Sequence, residues 1–275
     1  MKQHGQADTS PLGLVRSLRN NRELIIALTR REVAGRYRGS VMGLLWSFLY
    51  PLLMLAVYTF VFSVVFKSRW PSGGGSKAEF ALVLFTGLMV FSVFSECVNR
   101  APGLVLNNIN YVKKVVFPLE ILPVVSLLSS SFHMLVSTLV WTGFYLVYFG
   151  TPPITALLLP VVLAPLAFFT LGLTWMLASL GVYLRDVGQV VGVATTVLLF
   201  MSPVFYAIDS LPESYRPIMR ANPLTATIEQ ARDVMIWGRG LDLQVWLVML
   251  AVGFLVAWLG YAWFQGTRRG FADVL

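Results

Sequence analysis

Few residues in this chain could carry out a covalent or acid–base step. There are two histidines, His4 near the start and His133 inside a long apolar run. A protein metal site gathers three or four His, Cys or carboxylate ligands, and the sequence offers no such spacing. Cys97 is the single cysteine, which excludes a disulfide within the chain. His133 reads as a neutral helix-contact histidine bonded to a hydroxyl such as Ser129 or Ser137. Glu96 and Glu120 stand near the ends of apolar runs, where a charged head can reach the interface. Arg185 and Asp186 share a tight turn and read as a gate or structural pair. The run KSRWPSGGGSK, 67–77, has the glycines of a phosphate loop but not their order. That pattern needs GxxxxGK followed by Ser or Thr, between a strand and a helix; here Ala78 follows Lys77. The run reads as an outer loop, and the chain carries no ATP motif.

Two other groups point to binding rather than to catalysis. Arg30, Arg31, Arg36 and Arg38 fall within nine residues, and an almost wholly apolar stretch follows them. Such a cluster orients a first membrane span and attracts anionic headgroups, at about 1 kcal/mol per cation. Aromatic residues recur at helical spacing: Trp46 with Tyr50, then Tyr58, Phe62 and Phe66, with Phe85 and Phe91 further on. They fit an interfacial belt. They equally fit the wall of a passage on which the apolar faces of sugars stack.

The elements that must hold these residues are set by composition. Of 275 residues, 57% are hydrophobic and 12% charged, with mean hydropathy +0.73. Soluble domains carry about 25% charged residues, so lipid is the main solvent of this chain. A spanning helix needs about 20 apolar residues, and six segments qualify: 41–66, 80–98, 119–149, 154–183, 187–206 and 243–265. The third and fourth are long enough to tilt, or to break at Pro123, Pro160 and Pro165. The start lacks the apolar core of a signal peptide, so the first span is expected to serve as insertion signal. With six spans, one side of the membrane holds 14 Lys/Arg and the other 7. The richer side is the cytoplasm, which places both termini there, and the excess of +8 is not a nucleic-acid signal.

Between the spans, three segments carry patterns of their own. Residues 14–37 read as an amphipathic interfacial helix with Ile26, Val33 and Tyr37 on one side and a Glu32–Arg36 pair. The cytoplasmic loop NRAPGLVLNNINYVKKVVFP, 99–118, places Val105, Ile109, Val112 and Val116 on one face, and Asn107, Asn110 and Lys114 on another. That predicts a short helix parallel to the membrane, either a surface lid or a docking helix for a cytoplasmic partner. The outer loop 207–242 predicts two short helices. The second is capped by Asn222, starts at Pro223, buries Leu224, Ile228, Ala231 and Met235, and ends before Gly238. Transport is indicated, and the energy source is missing from the chain.

The run LTRREVAGRYRGSVMGLLWSFLYPLL resembles the start of type-2 ABC exporter permeases, in the branch that exports O-antigen, capsule and teichoic acid. The likeness continues through NNINYVKKVVFPLEILP, SPVFYAIDSLPESYRPIMRANPLTATIEQARDVMIWG and the late RRGFADVL. GFADVL favours the O-antigen branch. The resemblance implies an all-α integral membrane fold: six transmembrane helices, an N-terminal interface helix, a cytoplasmic coupling helix and two short periplasmic re-entrant gate helices. Residues 1–22 would be a variable cytoplasmic tail and 23–275 the transmembrane domain. It further implies a homodimer with two copies of a separate ATP-binding subunit, which alone binds ATP and Mg. The substrate would be a lipid-linked polysaccharide crossing the bacterial inner membrane. Asn107, Asn110, Lys113, Lys114 and Phe117 would meet the motor, and Arg30, Arg31, Arg36 and Arg38 the approaching lipid diphosphate. Trp46, Tyr50, Tyr58, Phe85 and Phe91 would line the passage. Tyr215, Arg216, Asn222, Glu229 and Arg232 would belong to the periplasmic gate. The rival readings are a type-2 permease for a small lipophilic molecule and, in a different class, a motor-independent secondary transporter.

Overall fold

A computed structural model describes residues 9–65, 70, 76–113 and 117–275. The described residues are helical and form no strand. Four helical segments are long and apolar enough to cross a membrane: Lys77–Gly103, Leu119–Phe149, Ile154–Tyr183 and Leu243–Val274. Two further apolar helices, Trp46–Val61 and Val187–Met201, are shorter, so among the described residues four of the six expected spans have helices of spanning length.

The chain enters through two helices, α1 (Pro11–Asn20) and α2 (Arg22–Tyr37). Ser10 caps α1 by accepting from Gly13 N at 3.0 Å, and Pro11 supplies its first turn. The helical part therefore begins earlier than the predicted residue 14 and breaks at Asn21. The buried face of α2 carries Ile25 and Leu28, and Ile26 is exposed. The expected stripe through Ile26 is thus rotated, because α2 packs against the helix α6 (Leu122–Phe149). The first apolar helix, α3 (Trp46–Tyr58), keeps Pro51 inside it and widens into a π-helical turn over Thr59–Val65.

Helix α4 (Lys77–Arg100) is the centre of the bundle. Ser76 caps it, accepting from Glu79 N at 3.0 Å. It is apolar on nearly every side, and Leu82, Phe85, Met89, Val90, Phe94 and Cys97 are all buried, as expected of a helix surrounded by others. Around it stand α6 (Leu122–Phe149), α7 (Leu159–Tyr183), α8 (Val187–Met201) and α10 (Pro223–Met235). Pro123 and Pro160 occupy first turns, and Pro165 lies within a continuous α7, so no prolyl break divides these spans. In α6 the hydroxyls of Ser130, Ser131, Ser137, Thr138 and Thr142 each donate to the carbonyl four residues back. That satisfies polar groups which lipid could not.

The most extensive contact in the molecule joins α7 to α11 (Leu243–Thr267). Glycines set its closeness. A Cβ on Gly172 would lie 2.3 Å from Val256 O, one on Gly260 2.1 Å from Gly172 O, and one on Gly253 2.4 Å from Pro165 O. Small residues let membrane helices approach until backbones touch, which maximises dispersion contact where no hydrophobic driving force operates.

The 99–118 loop, where the structure describes it, is not the single helix its periodicity suggests. Ala101–Gly103 and Leu106–Asn108 are 3₁₀ turns, and a short α5 (Ile109–Lys113) follows. Pro102 and Gly103 favour a turn over a regular helix at the start. On the opposite side, α9 (Arg216–Arg220) and α10 are the two predicted short helices. Leu224, Ile228, Ala231 and Met235 of α10 are fully buried against α4 and α7, and Gly238 has φ +63° after the helix end, as expected. The last element is α12 (Phe271–Val274).

Candidate functional site

At the Arg100 end of α4 the fold brings together charges that the sequence spaces far apart. Arg36 of α2 pairs with Glu96 of α4, and Arg100, one turn on from Glu96, pairs with Glu32 of α2. The expected Glu32–Arg36 pair within α2 is replaced by these two cross-links. Arg100 also stands 3.5 Å from Glu96, so four charges of alternating sign fasten the interface helix to the central helix. Tyr37, at the end of α2, sets its hydroxyl 3.2 Å from His133 Nδ1. The partner of His133 is therefore Tyr37, and Ser137 donates instead to the His133 carbonyl. Desolvation raises the Tyr37 pKa above its ordinary value, so its hydroxyl stays protonated and able to donate.

Between α2 and the 101–113 turns lies a polar cavity of about 320 Å³. Arg31, Glu32, Asn99, Arg100, Asn107 and Asn108 line it. Asn99 is held by Thr195 of α8, whose hydroxyl donates to it at 2.9 Å. Of the arginine cluster, then, Arg36 is engaged with Glu96 and Arg31 borders the cavity. Arg30 and Arg38 are exposed, and neither has an ion pair among the described residues.

The 101–117 segment is anchored along one side. Leu104 and Val105 are buried, while Asn107, Ile109 and Asn110 are exposed. Phe117, expected among the motor contacts, is buried and stacks on Tyr111 with ring centroids 4.2 Å apart. It packs inward, so of the expected motor contacts whose side chains are described, Asn107 and Asn110 are the exposed ones. Lys113 closes α5, and Lys114 lies outside the described residues.

A second charged group sits beside that anchor. The Glu120 carboxylate is buried, accepts from Arg268 Nη1 at 2.7 Å, and accepts from Ser17 Oγ of α1 at 2.8 Å. Arg268 Nη2 donates to Phe117 O at 2.8 Å, and Trp175 Nε1 of α7 donates to Glu120 O at 2.9 Å. Glu120 is thus a structural anion, not one snorkelling to solvent. Removing one member of such a buried pair typically costs about 3–5 kcal/mol. Pairing of residues 148 positions apart leaves no trace in sequence periodicity.

In the 207–242 region the expected gate residues separate into different roles. Arg232 is buried and donates to three backbone carbonyls: Val83 of α4 at 3.1 Å, Pro203 at 2.6 Å and Val204 at 2.9 Å. Its guanidinium stands 4.4 Å from the Trp70 ring centroid. Arg232 is a clamp joining α10, α4 and the turn after α8, rather than an exposed gate charge. Asn222 caps α10 and donates to Ser202 Oγ at 3.1 Å. Arg216 braces its own loop through Leu211 O and Asp209 O, both at 2.9 Å, and Tyr215 is exposed. Burial raises the Glu229 and Asp233 carboxyls above the usual carboxylate range, against the lowering effect of nearby arginines.

The aromatic residues also divide. Trp46 and Tyr50 are exposed on α3, continuing into a stripe with Leu53, Val57 and Phe60. Tyr58 is partly buried and meets Phe205. Phe85 and Phe91 are buried inside the subunit, so they pack the core of α4 and do not line an open surface. The sequence pattern misses Glu32, Glu96, Arg100, Glu120 and Arg268 as an organised set. The one local signal was the i,i+4 spacing of Glu96 and Arg100.

Comparison with known proteins adds a consistent picture. The sequence profile described as ABC-2 type transporter matches residues 23–236. The chain is 30% identical over 262 residues to the O-antigen export system permease protein RfbA of Myxococcus xanthus, covering 94% of this chain and 98% of that one. It is 27% identical over 254 residues to the protein of the same name from Klebsiella pneumoniae, covering 92% and 95%. It is 25% identical over 219 residues to the polysialic acid transport protein KpsM of Escherichia coli, covering 77% and 81%.

Proposed function

Because the chain belongs to the ABC-2 type transporter family, we propose that it is the permease subunit of an ATP-driven exporter, moving a lipid-linked polysaccharide across the bacterial inner membrane. The observation that carries this reading is end-to-end likeness to proteins named as O-antigen export permeases, with weaker likeness to a polysialic acid transport protein. An ATP-binding partner supplies the hydrolysis and holds ATP and Mg, in keeping with the missing phosphate-loop motif in this chain.

In this reading α3 with its π turn and α8 complete six spans, and both termini lie in the cytoplasm. The positive-inside count favours that orientation. Two permease copies enclose the passage and two motor subunits seat on their 101–117 segments. Exposed Asn107 and Asn110, with Lys113 and Lys114, meet the motor. The exposed Arg30, Arg31 and Arg38 attract the carrier diphosphate, and Trp46 and Tyr50 face the passage. α9 and α10 stand at its periplasmic mouth.

The test is to purify the tagged chain from its native membrane in mild detergent and identify what accompanies it. A stoichiometric ATP-binding subunit whose ATPase depends on this chain is the expected result. Charge reversal at Lys113 and Lys114 then weakens motor assembly or the stimulation of ATPase. A lone chain active without ATP sinks the proposal, as do wild-type export and stimulation in the charge-reversed variant.

A further inference from the structure

The 101–117 segment is covalently continuous with α4 and α6, so a push on it would be expected to move those two helices. Its non-covalent fastenings lead elsewhere. At its start, Pro102 sits on Gly181 of α7 so closely that a Cβ on Gly181 would lie 2.2 Å from Pro102 O. At its end, Arg268, which directly follows α11, holds Phe117 O and the Glu120 carboxylate at 2.8 and 2.7 Å. Trp175 of α7 holds the Glu120 carbonyl at 2.9 Å. The residues around Arg268 are themselves fixed to α7. Ser179 Oγ and Thr267 Oγ1 are 2.7 Å apart, and Tyr183 donates to Thr267 O at 2.8 Å. Phe271 of α12 is fully buried beside Tyr183 and Phe264, and α12 contacts both α5 and α7. Both ends of the segment are therefore attached to α7 and α11, a pair locked backbone to backbone by Gly172, Gly253 and Gly260.

We propose that Arg268 is a positioning residue of the coupling site. Together with Gly181 it fastens both ends of 101–117 to the α7–α11 pair, so that a motor stroke moves that pair as one body. The inference rests on the export reading. Arg268 touches neither nucleotide nor cargo and acts through Phe117 and Glu120. Arg269, its exposed neighbour, has no ion pair among the described residues and serves as the control.

The experiment compares wild-type, Arg268→Ala, Arg268→Lys and Arg269→Ala chains, each produced with the native motor subunit in native membranes. Wild-type is measured first. If it retains no ATP-binding subunit and drives no export, the export reading itself fails, independently of Arg268. With that reading in place, Arg268→Ala keeps its motor and the KM for ATP. The polysaccharide exported per ATP hydrolysed falls about tenfold, within the usual range of coupling between sites. Arg268→Lys restores part of that yield by keeping the Glu120 pair, and Arg269→Ala matches wild-type. Unchanged export per ATP in Arg268→Ala overturns the proposal. If Arg268→Ala fails to accumulate, Arg268→Lys and Glu120→Gln decide. A reduced yield per assembled complex supports the proposal, and a yield that stays at the wild-type value while abundance drops overturns it.

Discussion

Arg232 shows how far a single side chain's role depends on what is folded around it. In the sequence it is one of four cations in an outer loop and reads as a gate charge. In the fold its three nitrogens each donate to a carbonyl, and the three carbonyls come from two other parts of the chain. Arg232→Ala is expected to destabilise the protein by at least about 2 kcal/mol, since bonds to a charged donor contribute roughly 1.5–3 kcal/mol each. Arg232→Lys should recover only a fraction, because a point-like ammonium cannot span the same fork. Thermal unfolding in detergent measures both, and an unchanged Arg232→Ala midpoint would exclude the clamp. Glu229 and Asp233 make a second prediction. Burial raises both carboxyls, so the folded state binds their protons more tightly than the unfolded chain. Their contribution is fully present at acid pH and is lost as pH rises from the ordinary carboxylate value through the raised one. Glu229→Gln should flatten that part of the stability profile, measured as melting temperature against pH. A profile that keeps its slope would show that Glu229 is not its source.

At the scale of elements, the α7–α11 contact is set by three glycines that no periodicity argument singled out. Gly172→Leu should force the helices apart, since its first side-chain carbon already meets the Val256 backbone. Overpacking a dense interior costs about 1–3 kcal/mol, and a backbone obstruction has no rotamer that relieves it. Quantifying folded protein by size-exclusion profile should show a large loss for Gly172→Leu and little change for Leu at Gly192, where a Cβ meets nothing. Equal behaviour of the two would refute the close contact. The elements most readable in the sequence were those with both a cap and a periodic apolar face. α10 is the clearest, with Asn222, Pro223 and the Leu224–Ile228–Ala231–Met235 stripe each in place. The form of the 101–113 stretch is not legible in the sequence, because Pro102 and Gly103 break a helix that the valine spacing alone suggests. α2 was found but its face was misassigned. It buries Ile25 and Leu28 against other helices while its arginines reach across to α4, and neither partner is visible from within sixteen residues of helix.

For the whole molecule, the division between buried and exposed apolar surface matters most. α4 is enclosed, while α3 leaves Trp46, Tyr50, Leu53, Val57 and Phe60 uncovered and α8 leaves Val190, Val193, Val197 and Phe200 uncovered. In the proposed dimer these faces meet a second copy or the passage. The single cysteine makes this measurable, because Cys97 is buried. A Tyr50→Cys chain in native membranes is expected to cross-link to a second copy or to react with a small maleimide, with Cys97 silent in the wild-type. Labelling of the wild-type equal to that of the variant would contradict the burial of Cys97. Composition makes the membrane class legible in the sequence. The pairing of Ser17 and Arg268 on Glu120, between segments at opposite ends of the chain, was beyond any local pattern.

That last pairing has a consequence for how the protein is made. Ribosomes deliver residues in order, and Arg268 follows every membrane helix. Glu120 and Phe117 are made 148 and 151 residues before the arginine that bonds them. The cross-link of Ser17 and Arg268 on Glu120 is therefore closed only after the helices it joins have all been made.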